Sequence, residues 1–265
     1  MKRLFLLLAV MLMPLSVKAM AISESFDVGD DVSVALFSDS DNPGTGFHVL
    51  KESKSGERTV TLIYDGTIEG SPTIYDETRP DDGHEATANL NDSVVYQKMM
   101  SVIKQDGKEW RFDTASLLSL EDLTNLGITK NANGIYEIPA KYSFLAPIKQ
   151  DGLPSDHYNY WTSIKDDSAA TTSVYCVSYN ENRTGDDGVW ATLESRSIAS
   201  ITNNSECAIR PVIVIDKAYI LCNNSKKTPN AKTGINDYIV PLTALLLVTA
   251  SAVVLTKKKS VFKEI

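Results

Sequence analysis

Cys176, Cys207 and Cys222, three histidines and a scatter of acidic pairs are the groups in this chain that could carry chemistry. Zinc and redox sites need ligands at short fixed spacings, such as Cys-x-x-Cys or paired histidines one helical turn apart. His48, His84 and His157 lie far apart, and no Cys-x-x-Cys pair occurs. Hard oxygen donors are more plentiful. Asp166-Asp167 and Asp186-Asp187 are loop pairs, and Asp81-Asp82-Gly83-His84-Glu85 is denser, but none has the length and alternating ligand spacing of a calcium loop. A Gly-x-Ser-x-Gly elbow, a His-Glu-x-x-His pair and a phosphate-cradling glycine loop are all missing. The residues therefore assign no catalytic group, no metal and no cofactor, although a glycosidase-type carboxylate pair would not stand out among 34 acidic residues. What remains is a set suited to contact rather than turnover. Tyr158, Tyr160, Arg183 and Trp190 are of the types that dominate binding hot spots, and they are the candidate ligand-binding residues.

The two ends say where such a protein would work. Residues 1–21 read as a secretory signal, with Lys2 and Arg3, an apolar run from Leu4 to Leu15, and small-residue sites ending at Ala19 or Ala21. Near the other end, Asn230-Ala231-Lys232-Thr233-Gly234 precedes an apolar stretch over 238–256, and Lys257, Lys258 and Lys259 follow. A helix needs about 20 mostly apolar residues to cross a bilayer, so this stretch is expected to be a transmembrane helix. Its lysines would hold the 257–265 tail in the cytoplasm. The order of motif, span and basic tail resembles the cell-wall sorting signal of Gram-positive surface proteins. The resemblance implies sortase cleavage between Thr233 and Gly234 and attachment to peptidoglycan. Asn230-Ala231 stands where Leu-Pro is commonest, so the class of sortase is open; without cleavage the topology is unchanged, with the bulk outside.

Residues 22–225 are then one extracytoplasmic domain, followed by a linker and sorting motif over 226–237. The stretch from Ile22 to Thr233 carries 19 Lys and Arg against 32 Asp and Glu, a net near −13. Such a surface repels phosphates and anionic polymers, which argues against a nucleic-acid partner. Outside the cell the odd cysteine count implies one disulfide and one thiol left over. Cys176 with Cys207 is the expected pair, because both sit on or beside neighbouring strands; Cys207 with Cys222 is the rival.

Periodicity gives the elements that must position these groups. Phe26 to Ala35 alternates as a half-buried strand; Phe47 to Leu50 and Val60 to Tyr64 read as a hairpin turning at Lys54-Ser55-Gly56-Glu57. Tyr75 to Asp92 is expected to be a long surface loop. Val95, Met99, Val102 and Ile103 share a helical face with Asp92 or Ser93 as cap. A second helix is expected from Asp113 or Thr114 through Leu117, Leu120, Leu123 and Leu126 to Gly127. Strands follow at Tyr160 to Thr162, Val174 to Tyr179, Val189 to Leu193, Ile209 to Ile215 and Ala218 to Cys222, with loops over 166–172, 180–188 and 199–206. The class is α+β.

This order resembles the C-type-lectin-like fold of bacterial surface proteins, in which two helices and a twisted antiparallel sheet precede a loop-rich second half. The matching segments are Trp110-Arg111-Phe112-Asp113-Thr114, Tyr160-Trp161-Thr162-Ser163 and Arg210-Pro211-Val212-Ile213-Val214. The calcium-sugar motifs of that fold, such as Glu-Pro-Asn, are absent; its formylglycine-generating oxidases need a positioned pair of reactive cysteines, and of the close pair here, Cys207 and Cys222, the second lies beyond the closing strand. The resemblance thus implies a surface-anchored binding or adhesion module for an extracellular glycan or protein. Its alternatives are a surface hydrolase or oxidase on the same fold, and a structural or pilus-like subunit.

Overall fold

The computed structural model describes residues 24–37, 44–68, 72–78, 83–105, 107–149, 152–181, 188–198, 205–225 and 228–229. The expected signal segment, the motif at 230–234, the expected span, the Asp186-Asp187 pair and Arg183 lie outside them. Among the described residues no helix is long and apolar enough to cross a membrane.

Alternation of buried and half-buried residues builds β1 (Asp31–Val34), whose Val32 and Val34 face the core. β2 (Thr45–Lys51) and β3 (Thr59–Tyr64) form the expected hairpin, turned where Gly56 takes a φ of +94° and Glu57 N–H donates to Lys54 O. β4 (Thr73–Ile74) is short. Helix α1 (Val94–Ile103) buries Val95, Met99 and Ile103 and is capped by the Ser93 hydroxyl, which accepts from Tyr96 N–H.

The second helix differs from expectation. β5 (Thr114–Ser116) is a strand paired with the last long strand, and α2 (Leu120–Asn125) begins only at the Ser119–Asp122 capping box. Leu117 and Leu118 are both fully buried, which a one-sided helical stripe does not allow. Ahead of them Thr114 to Ser116 gains a ladder. β6 (Glu137–Pro139), β7 (Tyr160–Lys165), β8 (Ser173–Tyr179), β9 (Val189–Ser197), β10 (Glu206–Cys207), β11 (Val212–Asp216), β12 (Ile220–Asn223) and β13 (Thr228–Pro229) complete the order.

Among the described residues the main sheet runs β13-β12-β1-β2-β3-β11-β5, antiparallel throughout. A second antiparallel sheet runs β6-β9-β8-β7, and β4 pairs with β10. The described residues are mixed α and β, mostly sheet with two short α-helices. One core lies on the second sheet and under α2, a second beneath α1 around Trp161, and a third within the main sheet.

Residues 207–211 stitch these bodies together. Ala208 N–H donates to Asn159 O and Ala208 O accepts from Trp161 N–H, tying the segment to β7. On its other side Ile209 O accepts from Ile68 N–H and Pro211 O from Tyr64 N–H, tying it to the end of β3. Tyr75 to Asp92 is not merely a surface loop. Tyr75 is fully buried against Trp161, and the buried Asp76 carboxylate accepts from Thr87 N–H and lies 3.0 Å from His84 Nε2. A polar composition hid this because one buried carboxylate gathers His84 and Thr87.

Cys176 on β8 and Cys207 on β10 are joined as a disulfide, and Cys222 on β12 is a free, half-buried thiol. The 31-residue separation gives a chain-entropy contribution of about 3.5 kcal/mol. Non-reducing peptide mapping should recover the 176–207 link, Cys222 should alkylate without reductant, and reduction should lower the urea midpoint accordingly. A 207–222 link would contradict this pairing.

Candidate functional site

β3 ends at Tyr64, and Asp65-Gly66-Thr67-Ile68 then leaves the main sheet to meet the seam at Ile209. Thr67 lines two clefts beside this crossing. The smaller cleft, of about 100 Å³, is walled by Gly66, Thr67, Pro147, Ile148, Tyr158, Tyr160 and Arg210. The larger, of about 210 Å³, has the rings of Phe37, Tyr64 and Trp110 on one side and Thr67, Gln105 and Lys108 as its polar members. Trp110 meets Tyr64 edge-on at 5.5 Å and Phe47 at 6.1 Å, so its ring is held by packing. Gln105 and Lys108 follow the C-terminal end of α1 and are exposed.

Arg210 is only 3 % exposed. Its Nε donates to Tyr64 O, and its guanidinium carbon stands 5.3 Å from the Tyr160 ring centroid. Tyr160 Oη donates to Leu145 O and interacts in turn with the guanidinium; burial pushes the phenol pKa up, with Arg210 pulling the other way. Behind the arginine, His48 Nε2 lies 3.2 Å from Asp65 Oδ1, a close contact rather than an aligned hydrogen bond. His48 Nδ1 is buried with no hydrogen-bond partner, and the ring packs on Phe144 at 5.4 Å. Burial raises the Asp65 pKa, while His48 and Arg210 oppose that rise. A Cβ on Gly46 would meet Asp65 Oδ2, so a side chain there would displace the carboxylate.

Of the residues singled out in the sequence, Tyr158 and Tyr160 come together in the smaller cleft. Both are buried, so they form its wall and floor rather than an exposed aromatic face; Tyr158 packs edge-on to Tyr179. Trp190, on β9, is half-buried against the second-sheet core and does not line that cleft. Arg210 and Trp110 entered the sequence reading as fold markers, and the structure turns both toward clefts. A charge inside the apolar run Cys207 to Ile215 was the available signal for Arg210.

The acidic pair Asp166-Asp167 has other work. Asp166 Oδ1 accepts from the N–H and the hydroxyl of Ser168, and hydrogen bonds from Ser168 and Ser195 lower its pKa to about 2. It caps the turn between β7 and β8, while Asp167 pairs with exposed Lys165 at 3.0 Å. Among the described residues no three His, Cys, Asp or Glu side chains are grouped to hold a metal ion.

No family model matches the chain, and no curated protein and no solved structure is detectably similar to it.

A carboxylate whose native pKa exceeds its unfolded one binds more protons folded than unfolded, so stability falls as pH rises from the ordinary value of 3.8 through the raised one. Asp65→Asn removes that slope. Urea unfolding at a series of pH values should show the variant gaining on the parent as pH rises through this window. A constant difference would mean Asp65 is not the group involved.

Proposed function

We propose that this protein is a non-catalytic, extracytoplasmic glycan-binding module held at the surface of a Gram-positive cell. The larger cleft carries the reading. A sugar ring has an apolar C–H face and a hydroxyl rim, and Phe37, Tyr64 and Trp110 suit the first as Thr67, Gln105 and Lys108 suit the second. Support for a C-type-lectin-like domain comes from the pairing of β1 with β12 near the two ends of the body, with two short helices between and a separate antiparallel sheet from the second half. The terminal sequences support export and anchoring, by a sortase at Thr233-Gly234 or by the apolar span itself.

Binding of the purified chain to an oligosaccharide panel, followed by calorimetry on the hits, tests the reading. Gln105→Ala and Lys108→Ala each remove a polar contact worth about 1 kcal/mol, so each should weaken binding roughly fivefold. Because both side chains are exposed, the melting temperature should stay where it is. Unchanged affinity in the double variant would rule this cleft out.

Anchoring has its own test. In the producing cell, Thr233→Ala should move the protein from the peptidoglycan fraction to the membrane fraction or the medium. Equal wall attachment of both forms would exclude cleavage at that bond.

A further inference from the structure

We infer that the smaller cleft takes a carboxylate, the acidic group of a glycan whose ring lies in the adjoining aromatic cleft; this rests on the glycan reading above. Both clefts are lined by Thr67, so they adjoin at that residue. A guanidinium presents five N–H donors in a planar fork suited to a carboxylate. The structure commits Nε to the Tyr64 carbonyl and a contact to the Tyr160 hydroxyl, which leaves donors for the cleft that Arg210 lines. Arg210 is the charged member of this cleft's lining, so the cleft favours an occupant that accepts hydrogen bonds.

The walls say what else the occupant carries. Pro147, Ile148 and Tyr158 are apolar at their contact surfaces, and Ile148, 66 % exposed, stands at the rim. About 100 Å³ admits a carboxylate and the carbon bearing it. Asp65, an anion close enough to feel Arg210, lies 3.2 Å from His48 Nε2 and is held by its N–H to Gly46 O. The net charge near −13 over Ile22 to Thr233 opposes polyanions at long range. Exposed charges are screened beyond about 8 Å at physiological salt, whereas a partly buried guanidinium–carboxylate pair is screened far less. A single terminal acid is therefore admitted where an acidic polymer is not.

Glucuronate and its neutral amide, titrated separately into the full chain by NMR or calorimetry, make the test. The parent should bind glucuronate at least tenfold more tightly than the amide, and 0.5 M salt should leave most of that preference. Ile148→Asp places a carboxylate at an exposed rim position without disturbing the core. It should abolish the preference while amide binding persists. Arg210→Gln should do the same, and Arg210→Lys, which keeps charge but loses the fork, should retain part of it. Equal binding of acid and amide by the parent overturns the inference and leaves the glycan reading standing. Failure of both to bind, with neutral oligosaccharides still bound through Gln105 and Lys108, also overturns it. Tighter binding of N-acetyl-alanyl-alanine than of glucuronate, lost in Arg210→Gln, would reassign the cleft to peptide carboxyl ends.

Discussion

Five residues, Cys207 to Pro211, carry the connection between the two sheets, and most of the molecule is arranged around them. Their backbone is shared in two directions, Ala208 toward β7 and Ile209 with Pro211 toward the end of β3. Their side chains repeat the division: Cys207 is bonded to β8, and Arg210 donates to Tyr64 O at the end of β3. Without this segment each sheet would expose backbone groups that cost several kcal/mol to bury unpaired. Both clefts lie beside the Asp65–Ile68 crossing that the segment holds in place, so the site geometry follows from the same bonds.

Several buried charged side chains serve backbone atoms outside the strand ladders. Lys217 is fully buried; its Nζ donates to Glu24 O and Lys54 O at 2.7 Å each, over the Phe26 ring. Burial pulls its pKa below the usual lysine range. Asp76 plays the mirror role as an acceptor in the 75–92 segment, and Asp166 does so at the β7–β8 turn. Asp30 accepts from Asn223 and from Asp27 N–H where β1 meets β12. These groups fix where loops go, which an apolar core of similar volume would leave free.

This explains what the sequence made legible. Elements with a repeating pattern were readable: the β2–β3 hairpin, α1 with its Ser93 cap, and the run of strands from Tyr160 onward all stand near where periodicity places them. The start of α2 was not, because four leucines at helical spacing looked continuous while Thr114 to Ser116 had a ladder waiting on β11. β4, β6 and β10 are two or three residues long, too short to show any period. At the site, residue type pointed to Tyr158 and Tyr160, but no local pattern says that Trp110, Gln105 and Lys108 will line one cleft with Tyr64. Those meetings are made by packing between segments distant in the chain.

β12 lies between β13 and β1, with Asn224 reaching back to Asp31 and Ser33. A body held from its C-terminal side and pulled at an occupied cleft would receive the load through this strand. Force along β12 shears its pairing with β1 all at once, whereas force across it opens the bonds one after another. Next in line is the turn Lys217–Tyr219, locked by the buried ammonium. In a chain held from that side, load would cross the β13–β12 pairing first and the join of β12 with β1 next, and the resistance of that join would depend on the direction of pull.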